Sequence, residues 1–279
     1  DYTNAILYYH KSLFISFKIE GDVSQNVSIN YYNLSNTFFQ SNQIDSAEIY
    51  INKSLETAEK LFGDDTNQRS LSGLSLLAAI NSEQGEMEKA EKNARKALEV
   101  SFSIFDKMNF NTAISMYTLG DILIKQNKFA EGETKVMEAT SIFEQTLGES
   151  HPSLSVVYSE NAKNFNALNK IQEAASFLRR SIEIHQLHFE NRDLDRADLK
   201  IKLAEYLQKI PSNTHEIELL LTESYQVYIE EKGVLDSTTQ NIIAQLTRFY
   251  RETGEHSKGV ALEQEVALYV NEENQAQEQ

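Results

Sequence analysis

The chain has 279 residues and a net charge of −16 at pH 7, because 42 acidic residues outnumber 26 lysines and arginines. So acidic a chain is a poor general binder of nucleic acid, since contacts to phosphates depend on lysine and arginine. It contains no cysteine, 10 glycines and 2 prolines, which excludes disulfide frameworks and thiol catalysis and disfavours an all-β sandwich.

A repeat of 42 or 43 residues runs along the whole chain. Its units share a polar turn followed by a large apolar residue, as in Gln43–Glu48 and Lys128–Glu133. This anchor position holds Tyr2, Ile44, Met87, Phe129, Ile171, Thr214 and His256, the last two of which have lost the apolar side chain but keep the register. Between anchors, apolar residues recur three and four positions apart, which is the period of a helix and not of a strand. Each unit is therefore predicted to contain a helix A, a short turn and a helix B.

Columns of mostly small residues accompany the anchor. Three residues after it stand Ala5, Ala47, Ala90, Gly132, Ala174, Ile217 and Gly259. Nine residues before it stand Ser35, Ala78, Gly120, Ala162, Glu205 and Thr247. Small side chains at both positions predict close contact between helix A and helix B. Glycine recurs 19 residues after the anchor, as at Gly63 and Gly148, and predicts the end of helix B.

In chain order, the predicted elements are a lone helix B from Tyr2, six helix pairs and a polar tail. The pairs are expected to start near residues 24, 66, 109, 151, 194 and 236. Neither helix of a pair can bury its apolar stripe alone, so residues 1–270 are predicted to stack into one solenoid, with residues 271–279 as a solvated tail. On the lone helix, Leu7, Leu13 and Phe14 are expected to be exposed unless an upstream helix A or another chain covers them.

These columns resemble those of the tetratricopeptide repeat. Units of this length also occur in HEAT and armadillo repeats, but the small-residue columns favour the tetratricopeptide type. The element Leu147-Gly148-Glu149-Ser150-His151-Pro152 resembles the kinesin-light-chain form of that repeat. The resemblance implies an all-α fold, a right-handed α-solenoid of antiparallel helix pairs. A role as a motor subunit is not supported, because the chain has no heptad coiled coil of the kind through which kinesin light chains attach.

The same resemblance implies which residues face a partner, since helix A lines the concave surface in that family. In the N-terminal units these positions hold hydrogen-bonding and aromatic groups: Tyr32, Asn36, Phe39, Gln40 and Tyr117. From the fourth unit onward they hold Lys163, Asn166, Lys202, Tyr206, Lys209, Arg248 and Arg251. Cations on one face of an acidic protein predict capture of a segment that bears carboxylates. The alternative is that these cations pair with acidic residues on adjacent helices.

Catalytic motifs are absent from the sequence, which contains no G-x-S-x-G, G-x-G-x-x-G or G-x-x-x-x-G-K-[ST] pattern. We therefore predict neither an enzyme nor a cofactor. His185 and His188 are three residues apart on one helix, but a metal site needs three or four converging ligands, so both are interpreted as ordinary helix residues. His151, next to Pro152, is interpreted as a turn residue.

Three functional hypotheses remain open. The leading one is a non-enzymatic protein–protein interaction scaffold that holds an acidic segment of a protein or peptide within a larger chain or complex, without nucleic acid and without membrane insertion. The second is a permanently docked structural or assembly subunit of a large complex, for instance a mitochondrial or axonemal one. The third is a regulator that senses short peptides. We expect an intracellular, cytoplasmic location and leave a mitochondrial or ciliary one open.

Overall fold

The computed structural model describes residues 2–63, 67–189, 193–210 and 213–277, and of residues 271–277 only the backbone. These parts of the chain form thirteen α-helices and contain no strand, so the predicted all-α fold is confirmed. The helices are α1 (Tyr2–Glu20), α2 (Gln25–Gln40), α3 (Ile44–Phe62), α4 (Gln68–Glu83), α5 (Met87–Ile104), α6 (Phe110–Lys125), α7 (Phe129–Leu147), α8 (Ser153–Ala167), α9 (Ile171–His188), α10 (Asp193–Leu207), α11 (Thr214–Lys232), α12 (Ser237–Thr253) and α13 (His256–Gln277).

The chain forms two compact units, residues 1–148 and residues 149–279. The first contains α1 to α7 and the second α8 to α13. Even-numbered helices correspond to the predicted helix A and odd-numbered ones to helix B. Residue 66, an expected repeat start, lies outside the described residues. The α13 backbone continues helically through Gln277, and the solvation of residues 271–279 stays a prediction.

Several A helices begin at a side chain that accepts hydrogen bonds from the first turn. Ser24, Asn67, Asn109 and Asp236 accept them from backbone N–H groups at the starts of α2, α4, α6 and α12. These N–H groups have no partner inside the helix, so a capping oxygen stabilises the helix start. His151 does the same for α8, since its Nδ1 lies 3.2 Å from the backbone N of Ser153. Its interpretation as a turn residue is confirmed.

Close contact between helix A and helix B explains the small-residue columns. The Ser35 hydroxyl donates to the Ala47 carbonyl at 2.7 Å, joining α2 to α3. The corresponding positions on α6 and α7 are Gly120 and Gly132, and a Cβ added at Gly132 would lie 2.9 Å from the Gly120 carbonyl oxygen. The two helices therefore touch through their backbones at this level, and side chains there must be small.

The lone helix α1 is only partly covered. Leu13 was expected to be exposed, but it is buried because it belongs to the core cluster of α2 and α3 that contains Val27 and Leu34. Leu7 and Phe14 are exposed, as predicted. Within the described residues, no helix A packs beside α1, so part of its apolar face is exposed.

The turn between helix A and helix B needs a left-handed residue. Asn42, Asn127 and Asn169 have φ values of 60°, 62° and 59°, and each lies two residues before an anchor. Gly85 and Gly254 take positive φ at the same point in their repeats. Asparagine and glycine adopt this region more readily than other residues. The predicted glycine stop of helix B is also confirmed, since Gly63 is left-handed at φ 75°.

We expect Asn127→Ala to lower the free energy of unfolding by about 1 kcal/mol, because alanine is strained in the left-handed region. Asn127→Gly should leave it within about 0.5 kcal/mol of wild type, since glycine adopts that conformation without strain. Urea unfolding followed by helical circular dichroism measures both values. Equal midpoints for the two variants would show that backbone conformation does not limit this turn.

Candidate partner-binding faces

The predicted partner-facing residues of the first unit lie mostly on α2. Tyr32, Asn36 and Phe39 are half-buried there and Gln40 is exposed. Tyr32 and Phe39 pack against the core cluster of α1 to α4. Burial raises the pKa of the Tyr32 phenol, and the nearby Arg69 guanidinium opposes that rise. Both aromatic residues therefore belong partly to the core.

On α6 the corresponding face carries no net positive charge. The ring of Tyr117 lies 6.4 Å from that of Phe143, measured between centroids. Lys125 lies one turn beyond Asp121, and its Nζ is 3.2 Å from the Asp121 carboxylate and 3.4 Å from that of Glu83. The α4 and α6 carboxylates thus neutralise this lysine, and the first unit offers amide, hydroxyl and aromatic groups.

In the second unit, side chains of α8 and α10 meet at their C-terminal ends. The Lys209 Nζ donates to the Asn166 Oδ1 at 2.8 Å and lies 5.3 Å above the centre of the Tyr206 ring. Tyr206 is itself buried, and burial together with the neighbouring Glu205 and Glu160 carboxylates raises its pKa. Tyr206 therefore supports Lys209 more than it offers a contact surface of its own.

Four cations remain at the partner-facing positions of this unit, and we call them the basic strip: Lys202 of α10, Lys209 in the turn after α10, and Arg248 and Arg251 of α12. Lys209 and Arg251 occupy equivalent positions in successive repeats, five residues before the anchor. Lys202 is half-buried, whereas the other three are exposed. Among the residues that the structure describes, no carboxylate lies within 4.0 Å of a basic-strip nitrogen. The alternative, that these cations pair with acidic residues on adjacent helices, stays a prediction beyond that distance.

Lys163 differs from the basic strip. It forms a short ion pair with Glu160, one turn earlier on α8. Its charge is thus compensated within its own helix, and we exclude it from the strip. Which lysines find a partner could not be read from the repeat columns, because Glu160 belongs to a different column.

Cations on the B helices are paired across repeats, which sequence reasoning missed. Arg179 of α9 makes two hydrogen bonds of 2.8 Å to the Glu216 carboxylate of α11. Its guanidinium lowers the pKa of Glu216. Lys258 of α13 lies 2.7 Å from Glu218 of α11. In the sequence, these pairs show only as a cation and a carboxylate that stand about one repeat apart. That spacing predicts an ion pair only when the B helices are known to be neighbours.

The two histidines of α9 have different surroundings. His185 is buried, with its ring 4.8 Å from that of Phe189. The His188 Nε2 lies 2.6 Å from the Ser150 carbonyl oxygen. Over the described residues, no cluster of three or more His, Asp or Glu side chains is placed to hold a metal ion, and no helix is both long and apolar enough to cross a membrane.

Comparison with protein families matches two stretches to the tetratricopeptide repeat, residues 111–186 and residues 30–61. Protein KINESIN LIGHT CHAIN-RELATED 1 from Arabidopsis thaliana is 22% identical over 181 residues, or 65% of this chain. The chain spans 29% of the length of that curated relative.

Two solved structures share the fold. The crystal structure of BtubC (BKLC) from P. vanneervenii superposes with a TM-score of 0.69 at 18% identity, covering 83% of this chain and 92% of the other. A Rap protein in complex with competence and sporulation factor superposes with a TM-score of 0.63 at 13% identity, covering 97% of this chain and 71% of the other.

Proposed function

Because this chain is a tetratricopeptide-repeat protein with kinesin-light-chain-like repeats, we propose that it is a non-enzymatic protein-interaction scaffold whose second unit holds a carboxylate-bearing segment. The partner is a protein or peptide, and the A-helix face of α10 and α12 receives it. Binding of this kind depends on surface area and shape and requires no reactive group.

The observation that carries the proposal is that, among the described residues, the four cations of the basic strip lack an ion pair within 4.0 Å. Lys202, Lys209, Arg248 and Arg251 make no ion pair with a described carboxylate, although the chain carries 42 acidic residues. By contrast, Arg179 and Lys258 on the B helices are held by carboxylates of the neighbouring repeat. The strip is therefore a local reversal of charge on an acidic protein, which supports selection of an acidic partner.

The basic strip contains two kinds of cation, which bind a carboxylate differently. Each arginine of α12 presents a planar fork that donates two parallel hydrogen bonds to a carboxylate. Lys202 and Lys209 act as compact charges that attract a carboxylate from many directions. Arg248 and Arg251 are exposed, so each contact with a partner carboxylate is screened by salt until the partner excludes water.

The experiment is affinity purification of the wild type and of a charge-reversed variant, followed by mass spectrometry. The variant carries Lys202→Glu, Lys209→Glu, Arg248→Glu and Arg251→Glu. We expect a partner with an acidic segment to be lost at least tenfold from the variant, because four attractive contacts become repulsive. Circular dichroism and thermal unfolding of the variant verify that it remains helical, and a version with glutamine at the four positions covers the case in which Lys202→Glu does not fold.

A matched control changes the net charge by the same amount elsewhere. It reverses four exposed lysines outside the A-helix face, namely Lys53, Lys92, Lys107 and Lys232. We expect this control to keep the partner. If the basic-strip variant also keeps every partner, the proposal is wrong, and a permanently docked subunit becomes the better hypothesis.

A further inference from the structure

A pocket of about 250 Å³, partly open to solvent, lies in the second unit between α8, α9 and the start of α10. Val156, Phe189 and Leu199 provide its apolar walls, and Ser155 and Ser181 also line it. The two serines are buried and bind each other's backbone, with the Ser181 hydroxyl donating to the Ser155 carbonyl at 2.7 Å. The junction of α8 and α9 beside the cavity is thus fixed by hydrogen bonds.

The preceding repeat shows why this space is open. There the equivalent positions carry three aromatic rings, and the ring of Phe143 lies 5.3 Å from that of Phe110 and 6.4 Å from that of Tyr117. The residues found 42 positions later are Pro152, Ser159 and His185, and all three line the cavity. Three aromatic side chains of one repeat are therefore replaced by smaller ones in the next, and this leaves room between the helices.

The polar groups around the cavity favour a guest that donates hydrogen bonds. The carboxylates of Glu160 and Asp195 are part of the lining, and the hydroxyl of Ser159 can also accept. Glu160 already forms an ion pair with Lys163, and Asp195 also has an interaction of its own, so a guest would share both carboxylates with existing partners. A neutral apolar guest would offer these carboxylates no hydrogen bond.

We propose that this cavity, which we call the His185 pocket, binds a guanidinium group such as the side chain of an arginine. A guanidinium is planar, and it stacks on an aromatic face such as that of Phe189. Its fixed fork suits the Glu160 and Asp195 carboxylates, and its aliphatic stem suits the walls formed by Val156 and Leu199. An ammonium is more strongly hydrated and has no flat face.

An arginine in the His185 pocket would affect how the basic strip holds a partner. Leu199 lies one turn before Lys202 on the same helix. A segment held by the strip would thus bring a neighbouring residue to the pocket, and an arginine there would set its register and direction. This consequence rests on the proposed function, whereas guanidinium binding itself goes beyond the proposed function and does not depend on it.

The test is an NMR titration of the ¹⁵N- and methyl-labelled chain with two small probes, n-propylguanidinium and n-propylurea. The two have nearly the same shape and differ in charge. We expect n-propylguanidinium to shift signals of residues that line the pocket in a saturable manner, and to bind at least fivefold more tightly than n-propylurea. Equal affinities, or no saturable shift with n-propylguanidinium, would overturn the proposal.

Two variants locate the binding. Ser159→Tyr with His185→Phe restores two of the three aromatic side chains of the preceding repeat, so we expect it to abolish the shifts. Glu160→Gln with Asp195→Asn removes the charges, and we expect it to bind both probes equally. A matched control, Glu173→Gln, removes an exposed carboxylate of α9 outside the pocket and should behave as wild type. Probe binding that survives in the filled variant would show that the guanidinium binds elsewhere. All these variants retain the basic strip, so failure here leaves the proposed function untouched.

Discussion

Replacing Gly132 by alanine is expected to lower the free energy of unfolding by about 2–3 kcal/mol. A Cβ at this position would lie 2.9 Å from the Gly120 carbonyl oxygen, 3.0 Å from the Ile124 backbone N and 2.7 Å from the Ile124 Cγ1. Two of these atoms belong to the backbone of α6, so relief requires the two helices to move apart. Inserting atoms into a packed core costs about 1–3 kcal/mol, and a contact with rigid backbone belongs at the upper end of that range.

Gly259 provides a matched control from the same repeat column. A Cβ added there meets the Tyr250 Cβ at 3.6 Å, an ordinary contact distance. Gly259→Ala is therefore expected to stabilise the protein by about 0.5–1 kcal/mol, the usual gain when alanine replaces glycine inside a helix. Urea unfolding of both variants measures the two effects. Changes of the same sign would contradict the close approach of α6 and α7.

A second large effect is expected at alkaline pH. Tyr225 and Tyr228 of α11 are buried, and their hydroxyls donate to the carboxylates of Glu265 and Asp198. Burial, together with these carboxylates, raises the pKa of both phenols. Each phenol thus keeps its proton in the folded state at a pH where the unfolded chain, with an ordinary tyrosine pKa of about 10, has lost it.

The sign of the pH dependence follows from proton binding. Below about pH 10 both states are protonated, and the stabilisation by these tyrosines is fully present. Above it the folded state binds more protons than the unfolded state, so stability falls as pH rises, by up to about 1.4 kcal/mol per pH unit for each tyrosine. Urea midpoints between pH 8 and pH 12 measure the slope.

The variant Tyr225→Phe with Tyr228→Phe separates these two groups from the other tyrosines. Above about pH 10, we expect the stability of this variant to decline less steeply than that of wild type. The two slopes should differ by up to about 2.8 kcal/mol per pH unit, because two phenols are removed. Tyr8→Phe, which removes an exposed phenol, is the matched control. A double variant with the slope of wild type would mean that other groups cause the alkaline loss of stability.

The helix pairs could be predicted from local patterns because each depends on residues close in sequence. Asn109 precedes the apolar run of α6, and it caps that helix by accepting from the Asn111 backbone N. The asparagines at positions 42, 127 and 169 are an equally local signal that the sequence reasoning missed. Each stands two residues before an anchor and takes positive φ, so the column of asparagine and glycine there marks the turn.

The candidate site was predicted less completely. The repeat columns identified Lys202, Lys209, Arg248 and Arg251 as members of one face. They did not show that Lys163 is held by Glu160 or that Tyr206 is buried. Pairing and burial depend on neighbours from other columns and other helices, and no pattern along one column contains them.

Repeat spacing, small-residue columns and capping residues are properties of the chain itself, and they were enough to specify an all-α stack of helix pairs. The reason is that helix periodicity and turn conformation are local. The His185 pocket could not be predicted in this way. It exists because Pro152, Ser159 and His185, on two helices and the turn before them, are all smaller than their counterparts in the preceding repeat, and an empty space becomes visible only when helices are packed together. The same holds for the lack of an ion pair within 4.0 Å of the basic strip among the described residues, since the distance between a cation and a carboxylate on another helix is set by tertiary packing.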